Sequence, residues 1–230
     1  MRLLTVADGD DFSLTKPLEH PPPYAILSHT WGPDEDEITF DDFSTGQYKS
    51  KAGFAKFQFC AQQARKDGID HFWIDTCCIK KSDASELSES ITSMFRWYRN
   101  AKKCYVYLAD VPDLKRRHDG SKSRTEEAAF GNSRWFTRGW TLQELIAPRH
   151  VEFYTRDWKP LGTKQALAVK IHERTGIPSS AMLGQQELSE FGIQERISWA
   201  RERRTRRPED KCYCLLGILG VSMPSNYGEG

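Results

Sequence analysis

The sequence predicts a three-layer α/β domain, in which helices cover both faces of a parallel sheet, followed by a helical C-terminal extension. Two observations carry this prediction. Short apolar runs alternate with amphipathic segments up to about residue 177, and beyond residue 178 only helical patterns follow. Such alternation is typical of parallel strands joined by crossover helices. We therefore expect an α/β core at residues 1–177 and the extension at 178–230.

The predicted strands are short apolar runs, several of which end in polar residues. They cover residues 2–6, 24–29, 71–75, 104–109 and 151–155. The predicted helices carry apolar residues at spacings of three and four, as Phe57, Cys60, Ala61 and Ala64 illustrate. They cover residues 51–67, 83–98, 139–147, 163–174, 193–203 and 208–219. The last segment ends without a closing element, so we expect a fragment of a longer protein.

Composition excludes several classes of protein. The net charge of +1 over 230 residues gives no global attraction to nucleic acid or to a membrane surface. No apolar run reaches the roughly 18 residues of a membrane span. The six cysteines lie in or beside apolar runs, and Cys77 and Cys78 are neighbours, which is typical of buried, reduced thiols. We expect a cytoplasmic protein with no nucleic-acid partner and no membrane span.

Candidate ligand-binding residues lie where the predicted strands end. Ser28 and His29 end one strand, Trp31 and Gly32 follow it, and Asp75 ends the next. Ligands of open parallel sheets bind at the carboxyl ends of the strands, so these side chains are expected to converge. Alternatives remain open here. His29 and Trp31 are equally typical of packing residues, and Cys77 or Cys78 with His29 would be a cysteine hydrolase pair.

The stretch at residues 133–148 concentrates further candidates. Trp140 and Glu144 are four residues apart, so they share one face of a helix at 139–147. A carboxylate beside an aromatic ring suits a flat cationic ring, although a lone helical glutamate is usually a solvated surface residue. Arg138 is a candidate phosphate ligand or a structural ion-pair partner. A zinc site at Cys212 and Cys214 lacks a second ligand pair at finger spacing, so no metal is expected.

Three motifs together resemble a known family. YAILSHTWG at residues 24–32, WIDTCCI at 73–79 and RGWTLQELIAP at 138–148 are similar to the three signature blocks of the fungal heterokaryon-incompatibility (HET) domain. DKCYCLLGI at 210–218 and YGEG at 227–230 resemble the C-terminal part of that family. The resemblance covers essentially the whole chain. It implies a fungal cell-death effector of non-self recognition, with further sensor domains attached or acting as partners.

A more distant resemblance bears on chemistry. The order of LSH, FWID, YVYL and WTLQEL is similar to that of Toll/interleukin-1 receptor (TIR) domains, which are flavodoxin-like. Trp140 and Glu144 match the Trp and Glu of the TIR block that cleaves NAD, and Thr141 stands where TIR domains usually have cysteine. The resemblance therefore implies a catalytic Glu144, NAD as substrate rather than as a cofactor, and self-association of the domain.

The implied reaction has a physical rationale. Cleavage of the nicotinamide–ribose bond leaves a ribose with oxocarbenium character, which a fixed carboxylate stabilises. Nicotinamide is already a cationic leaving group, so no general acid is needed. Trp31 and Trp140 are then candidates to stack on a ring, and Ser28, His29 and Asp75 to orient the substrate. The competing hypothesis is a non-enzymatic TIR-like module that triggers cell death by self-assembly alone.

Overall fold

The computed structural model describes residues 1–6, 11–113 and 124–228, and within these ranges seven strands form one mixed sheet. The strands are β1 (Leu4–Val6), β2 (Phe12–Leu14), β3 (Tyr24–His29), β4 (His71–Trp73), β5 (Lys103–Tyr107), β6 (Val151–Tyr154) and β7 (Pro160–Thr163). Their order across the sheet is β2-β1-β4-β3-β5-β6-β7.

The centre of the sheet is parallel. Strand β3 pairs with β4 on one side and with β5 on the other, and β5 pairs with β6. In chain order these parallel strands lie 2-1-3-4, the order of flavodoxin-like sheets. The α/β fold with a parallel sheet is thus confirmed at its centre. The outer strands run antiparallel to their neighbours: β1 and β2 on one side of the sheet and β7 on the other. Antiparallel strands at the margin of a parallel sheet are common in doubly wound folds.

Helices cover both faces of the sheet. They are α1 (Phe40–Thr45), α2 (Phe54–Lys66), α3 (Asp75–Cys78), α4 (Ala84–Asn100), α5 (Arg124–Gly131), α6 (Thr141–Ile146), α7 (Ala168–Thr175), α8 (Ser179–Met182), α9 (Ile193–Ser198), α10 (Asp210–Tyr213) and α11 (Leu216–Leu219).

Neighbouring residues of β4 show how the two faces are filled. The ring of Phe72 packs against Phe12, which in turn contacts Phe57 of α2. The indole of Trp73 packs against Trp97 of α4, with ring centroids 5.7 Å apart. Because successive side chains of a strand point to opposite faces, α2 and α4 lie on opposite sides of the sheet. This gives the predicted three layers.

Three elements have no counterpart among the predicted strands and helices: β2, α1 and β7. Strand β2 and helix α1 fall in stretches that are rich in polar residues or proline. Strand β7 ends at Thr163, the first residue of the predicted helix at 163–174, and the helix itself begins only at Ala168. The residues of β7 instead pair with β6, where Glu152 lies opposite Thr163. Long-range pairing overrides the local pattern here, since a short strand has little periodicity of its own.

The extension beyond residue 178 is helical where it is described, and it folds back onto the core. Helix α11 packs against α4 at Gly217, which lies beside Phe95. The segment between α9 and α10 returns to the start of α6. There the amide of Arg204 donates to Thr137 O at 2.6 Å, and the amide of Gly139 donates to Arg204 O at 2.9 Å.

Candidate functional site

Helix α6, which carries Glu144, is six residues long and is held at both ends by distant parts of the chain. At its start, the buried Arg203 guanidinium donates to Arg138 O at 2.9 Å and to Thr141 Oγ1 at 2.8 Å. At its end, the buried ammonium of Lys164 donates to Leu145 O at 3.1 Å and to Pro148 O at 2.6 Å. Leu145 O, which Lys164 binds, is one of the carbonyls that the C-terminal end of a helix leaves free. Arg203 instead ties the segment before the helix to the first helical residue.

Glu144 lies beside the carboxyl end of β3. Glu144 is 8% exposed, and its Oε2 atom accepts a hydrogen bond from the hydroxyl of Ser28. The indole of Trp135 donates to the same hydroxyl at 2.8 Å. The hydroxyl of Tyr98, which donates to Leu27 O, also lies close to Glu144. Among the described residues Glu144 has no salt-bridge partner, so its carboxyl group is fixed by neutral groups only.

Burial controls the ionisation of Glu144. Desolvation raises its pKa to about 8, and the charge of Asp75 adds to this rise. The hydrogen bond from Ser28, the positive charge of Arg203 and the nearby Tyr98 hydroxyl act in the opposite direction but do not cancel it. A carboxyl group with such a pKa, near the end of parallel strands, is typical of a functional site.

We expect Glu144→Gln to become more stable relative to the wild type as the pH rises. Folded Glu144 keeps its proton to a pH of about 8, whereas an unfolded glutamate loses it near 4.5. Between these values unfolding releases a proton, so raising the pH destabilises the wild type by about 1.4 kcal/mol per pH unit. Glutamine does not titrate. Thermal melting of both proteins from pH 5 to pH 9 measures the difference, and a difference that is constant with pH would contradict the expectation.

His29 and Asp75 form a second polar group at the ends of β3 and β4. The His29 Nε2 atom lies 3.1 Å from Asp75 Oδ1, and the Lys56 ammonium lies 3.1 Å from His29 Nδ1. Because an ammonium can only donate, Nδ1 accepts and the Nε2–H group donates to Asp75. Burial alone would raise the pKa of Asp75, but Lys81, His29 and Trp31 together hold it well below its usual range.

The Trp31 side chain is already occupied by protein contacts. Its Nε1 donates to Asp75 Oδ2 at 2.8 Å. The Lys81 ammonium lies 3.7 Å from a Trp31 ring centroid, and the Arg206 guanidinium lies over the ring at 5.6 Å. These are cation–π contacts. A substrate ring would therefore have to displace a cation in order to stack on the face that Lys81 covers.

Two cavities adjoin Trp31. One, of about 290 Å³, is bounded by Trp31, Glu37 and Lys81 together with further polar residues. The other, of about 480 Å³, is lined by Thr30, Trp31, Gly32, Pro33, Arg134, Arg138 and Arg206. The predicted candidates Trp31, Gly32 and Arg138 thus line cavities. Ser28, His29, Asp75 and Glu144 line neither of the two, so neither cavity joins Trp31 to the carboxyl groups of Asp75 and Glu144.

Trp140 faces a different part of the molecule. It packs against the small apolar cluster of Ile91, Tyr213 and Leu216, which joins α4 to the C-terminal helices. The helical spacing of Trp140 and Glu144 therefore does not produce a common binding surface. Trp135, which is fully buried and hydrogen-bonded to Ser28, is the tryptophan nearest to the Glu144 carboxyl group in the network.

The two cysteine alternatives gain no support from the geometry. Cys77 and Cys78 are buried, and their sulfur atoms are 3.9 Å apart. Burial raises the pKa of Cys77 well above the usual thiol range, which disfavours the nucleophilic thiolate. His29 contacts Lys56 and Asp75 rather than a sulfur atom. Within residues 1–6, 11–113 and 124–228, no group of three His, Cys, Asp or Glu side chains is placed to hold a metal ion.

Comparisons with known proteins agree with the family that the sequence motifs resemble. The model of the family described as "Heterokaryon incompatibility protein (HET)" matches residues 24–124. The Vegetative incompatibility protein HET-E-1 of Podospora anserina is 52% identical over 232 aligned positions. That alignment covers 100% of this chain and 17% of the relative. The chain belongs to the heterokaryon-incompatibility (HET) family. No solved structure matches the chain.

The HET family match divides the candidate residues. Its range contains Ser28, His29, Trp31, Gly32 and Asp75 and ends before α6. Arg138, Trp140 and Glu144 lie outside that range, although the alignment with the Podospora relative includes them. This HET domain spans 17% of that relative's length. No helix in the described part of the domain is both long and apolar enough to cross a bilayer.

Sequence reasoning missed the residues that hold this site of the HET domain in place. Trp135, Tyr98, Arg203 and Lys164 surround Ser28, Glu144 and the ends of α6, and none was a candidate. Trp135 and Tyr98 lie in apolar patterns that predict core positions and nothing more. Arg203 belongs to a basic run at residues 201–207 that is typical of a solvated face. Lys164 has no signal in the sequence that would mark a buried lysine.

Proposed function

We propose that this HET domain is a cell-death effector of fungal non-self recognition, and that it hydrolyses NAD to nicotinamide and an ADP-ribose product. The printed name of the Podospora relative, a vegetative incompatibility protein, supports the first part of the proposal. The second part assigns catalysis to Glu144. We further propose that the domain acts in the cytoplasm, self-associates, and works together with sensor domains attached to it or supplied by a partner.

The observation that carries the enzymatic proposal is the buried Glu144 carboxyl group beside Ser28. Burying an ionisable group without an opposite charge is unfavourable, so a purely structural role gives little reason to keep a glutamate there. Two buried donors nearby also lack partners among the described residues. They are Gln143 Nε2, on the same helix, and Nη2 of Arg203, which contacts the first residue of that helix. Unsatisfied buried donors of this kind are available to the oxygens of a ligand.

The chemistry follows from charge. The nicotinamide ring carries a positive charge in NAD, and this charge moves to the ribose as the glycosidic bond breaks. A nearby cation favours the ionised form of a carboxyl group, so a bound NAD lowers the pKa of Glu144 from its raised value. The carboxylate then stabilises the oxocarbenium-like ribose in surroundings of low polarity, where a fixed charge acts most strongly. Water completes hydrolysis at the ribose carbon.

The proposal requires that the site open. Glu144 lines neither of the two cavities beside Trp31, and its exposed fraction of 8% leaves no room for a ribose. Self-association offers a source of that rearrangement, because binding energy between copies can stabilise a conformation that is rare in the free protein. A closed site in an unassembled chain would also keep a destructive activity low before a signal arrives.

We expect the purified domain at high concentration to release nicotinamide from NAD, and turnover per molecule to fall on about a hundredfold dilution, because association follows mass action. Chromatographic measurement of nicotinamide over that range, with the size of the protein measured in parallel, tests both parts. No nicotinamide from a protein that is assembled in solution would reject the enzymatic proposal. Constant turnover from a protein that stays monomeric would reject obligatory assembly and leave the enzymatic proposal standing.

One observation favours the competing function, a non-enzymatic module that signals by self-assembly. The closed position of Glu144 is what a structural residue would show, since Ser28, Tyr98 and Trp135 fill its surroundings. Under that function Glu144→Gln retains toxicity in fungal cells, whereas an NAD hydrolase loses it. Wild type and Glu144→Gln are therefore expressed at equal levels in fungal cells, and a comparison of their toxicity separates the two functions.

A further inference from the structure

The larger cavity beside Trp31 is unusual in its charge. Of the seven residues that line it, three are arginines and none is acidic: Arg134, Arg138 and Arg206. Its volume of about 480 Å³ lies in the range of small-molecule sites. The remaining wall is formed by residues 30–33, directly after β3. This wall places the cavity at the carboxyl end of the parallel strands, where ligands of such sheets bind.

Arg138 is one of the three arginines that line this cavity. Its side chain is half-buried, and among the described residues its guanidinium has no hydrogen-bond or ion-pair partner. Burial lowers the pKa of Arg138, and the charges of Arg206 and Arg134 lower it further. Asp210 and Glu144 raise the pKa of Arg138 and so offset this repulsion in part, but among the described residues no carboxylate contacts the Arg138 guanidinium to complete the compensation. A bound anion would supply that compensation.

Backbone pairing fixes the positions of two of the three arginines. Residues Arg138 and Arg204 form an isolated parallel bridge, supported by the hydrogen bonds of Arg204 with Thr137 and Gly139. This bridge holds the segment that carries Arg206 against the segment that carries Arg138. The like charges are therefore brought together by the fold itself, and a solvated surface run would not need such a constraint.

The other two arginines have partial partners at the rim. Arg206 Nη1 forms an exposed ion pair with Asp34 Oδ1 at 2.7 Å, and Arg134 Nη2 lies 3.5 Å from Trp31 O. An exposed ion pair contributes little free energy, so it can be exchanged for a ligand. Asp34 lies outside the lining of this cavity. The charge inside the cavity is therefore positive.

We propose that the cavity formed by Arg134, Arg138 and Arg206 binds the diphosphate group of a nucleotide. Guanidinium groups present paired N–H donors that match phosphate oxygens, and three of them suit two adjacent phosphates better than one. The assignment of that diphosphate to NAD rests on the proposed function, whereas the affinity for a diphosphate does not. Helix α6 begins at Thr141, three residues after Arg138, so a ligand held here lies near the start of the helix that carries Glu144.

Isothermal titration with inorganic pyrophosphate tests the proposal without any turnover. The wild type is expected to bind pyrophosphate more tightly than orthophosphate, and Arg138→Gln to weaken the binding of pyrophosphate roughly tenfold or more, as the loss of charge-assisted hydrogen bonds predicts. Arg201→Gln is the matched control, because Arg201 is exposed in the same basic run and does not line the cavity. It is expected to leave the affinity unchanged.

Three results would overturn the proposal: no pyrophosphate binding at millimolar concentration, equal affinities of Arg138→Gln and Arg201→Gln, or ADP-ribose binding that is independent of Arg138. Thermal melting shows whether Arg138→Gln is folded. If it is not folded, the pyrophosphate affinity of Arg206→Gln replaces it in the test, because the Arg206 side chain is 48% exposed and its substitution leaves the core intact. ADP-ribose that binds more tightly than pyrophosphate and depends on Arg138 identifies a nucleotide ligand. Equal affinities for the two would reject the nucleotide and leave only an inorganic diphosphate.

Discussion

Glu144→Gln is expected to lower the rate of nicotinamide release by about 10²–10³, the usual effect of removing one electrostatic contact to a transition state. Glutamine has nearly the same shape as glutamate, and its amide oxygen can still accept the hydrogen bond from Ser28. It cannot carry the negative charge that the forming ribose cation needs. Release of nicotinamide by the variant and the wild type, at equal and high protein concentration, measures the effect.

Two controls make this result interpretable. Thermal melting must show that Glu144→Gln is folded, and near neutral pH it is expected to melt at or above the wild-type temperature. Glu195→Gln removes a carboxylate that is exposed on α9 and is expected to keep full activity. A folded Glu144→Gln protein with wild-type turnover would show that Glu144 is not catalytic.

Gly217→Ala is expected to give the largest loss of stability among the glycine-to-alanine substitutions in the described part of the chain. A Cβ atom at Gly217 would lie 2.1 Å from Phe95 Cβ and 2.3 Å from Phe95 Cγ. These atoms are at the root of the Phe95 side chain, so a change of rotamer cannot relieve the contact. Helix α11 must move away from α4 instead. Overpacking of this kind destabilises by about 3 kcal/mol, which for a chain of this size lowers Tm by roughly 6–12 °C.

Gly131→Ala is the matched control for that substitution. No atom lies within 4 Å of a Cβ at Gly131, and it ends helix α5 without a positive φ. It is expected to melt within about 1 °C of the wild type, because alanine is favoured over glycine in a helix. Differential scanning fluorimetry of the two variants is sufficient. Equal melting temperatures would mean that α11 does not pack on α4 as described.

The sequence predicts best those elements in which apolar residues recur at regular intervals. Helix α2 and strand β3 follow the predicted bounds closely, because their apolar residues recur at fixed spacing and face one core. Strand β7 could not be predicted in this way. Its four residues include Pro160 and Gly162, which are unfavourable in strands, and only pairing with β6 selects the extended conformation.

The candidate site shows the same division between local and long-range information. Strand ends identify Ser28, His29 and Asp75 because topology alone brings such residues together. Trp140 was grouped with Glu144 on helical spacing, but α6 begins only after Trp140, and its indole turns to the C-terminal helices. The surroundings of Glu144 also include Trp135, which donates to Ser28, and the nearby Tyr98 hydroxyl. No sequence period relates these residues to Ser28, so only the folded chain reveals them.

The anchoring of α6 has a consequence for the timing of biosynthesis. A six-residue helix has no stability of its own in water, and Thr141 at its start is held by Arg203, 62 positions later in the chain. A ribosome that adds roughly 5–20 residues per second therefore needs about 3–12 s after Thr141 before that anchor exists. During this interval the nascent chain carries Glu144 but not the complete surroundings of its carboxyl group. A chain that is interrupted before Arg203 would therefore leave the ribosome without the contacts that hold the start of α6, so the last part of the domain determines when the surroundings of Glu144 are complete.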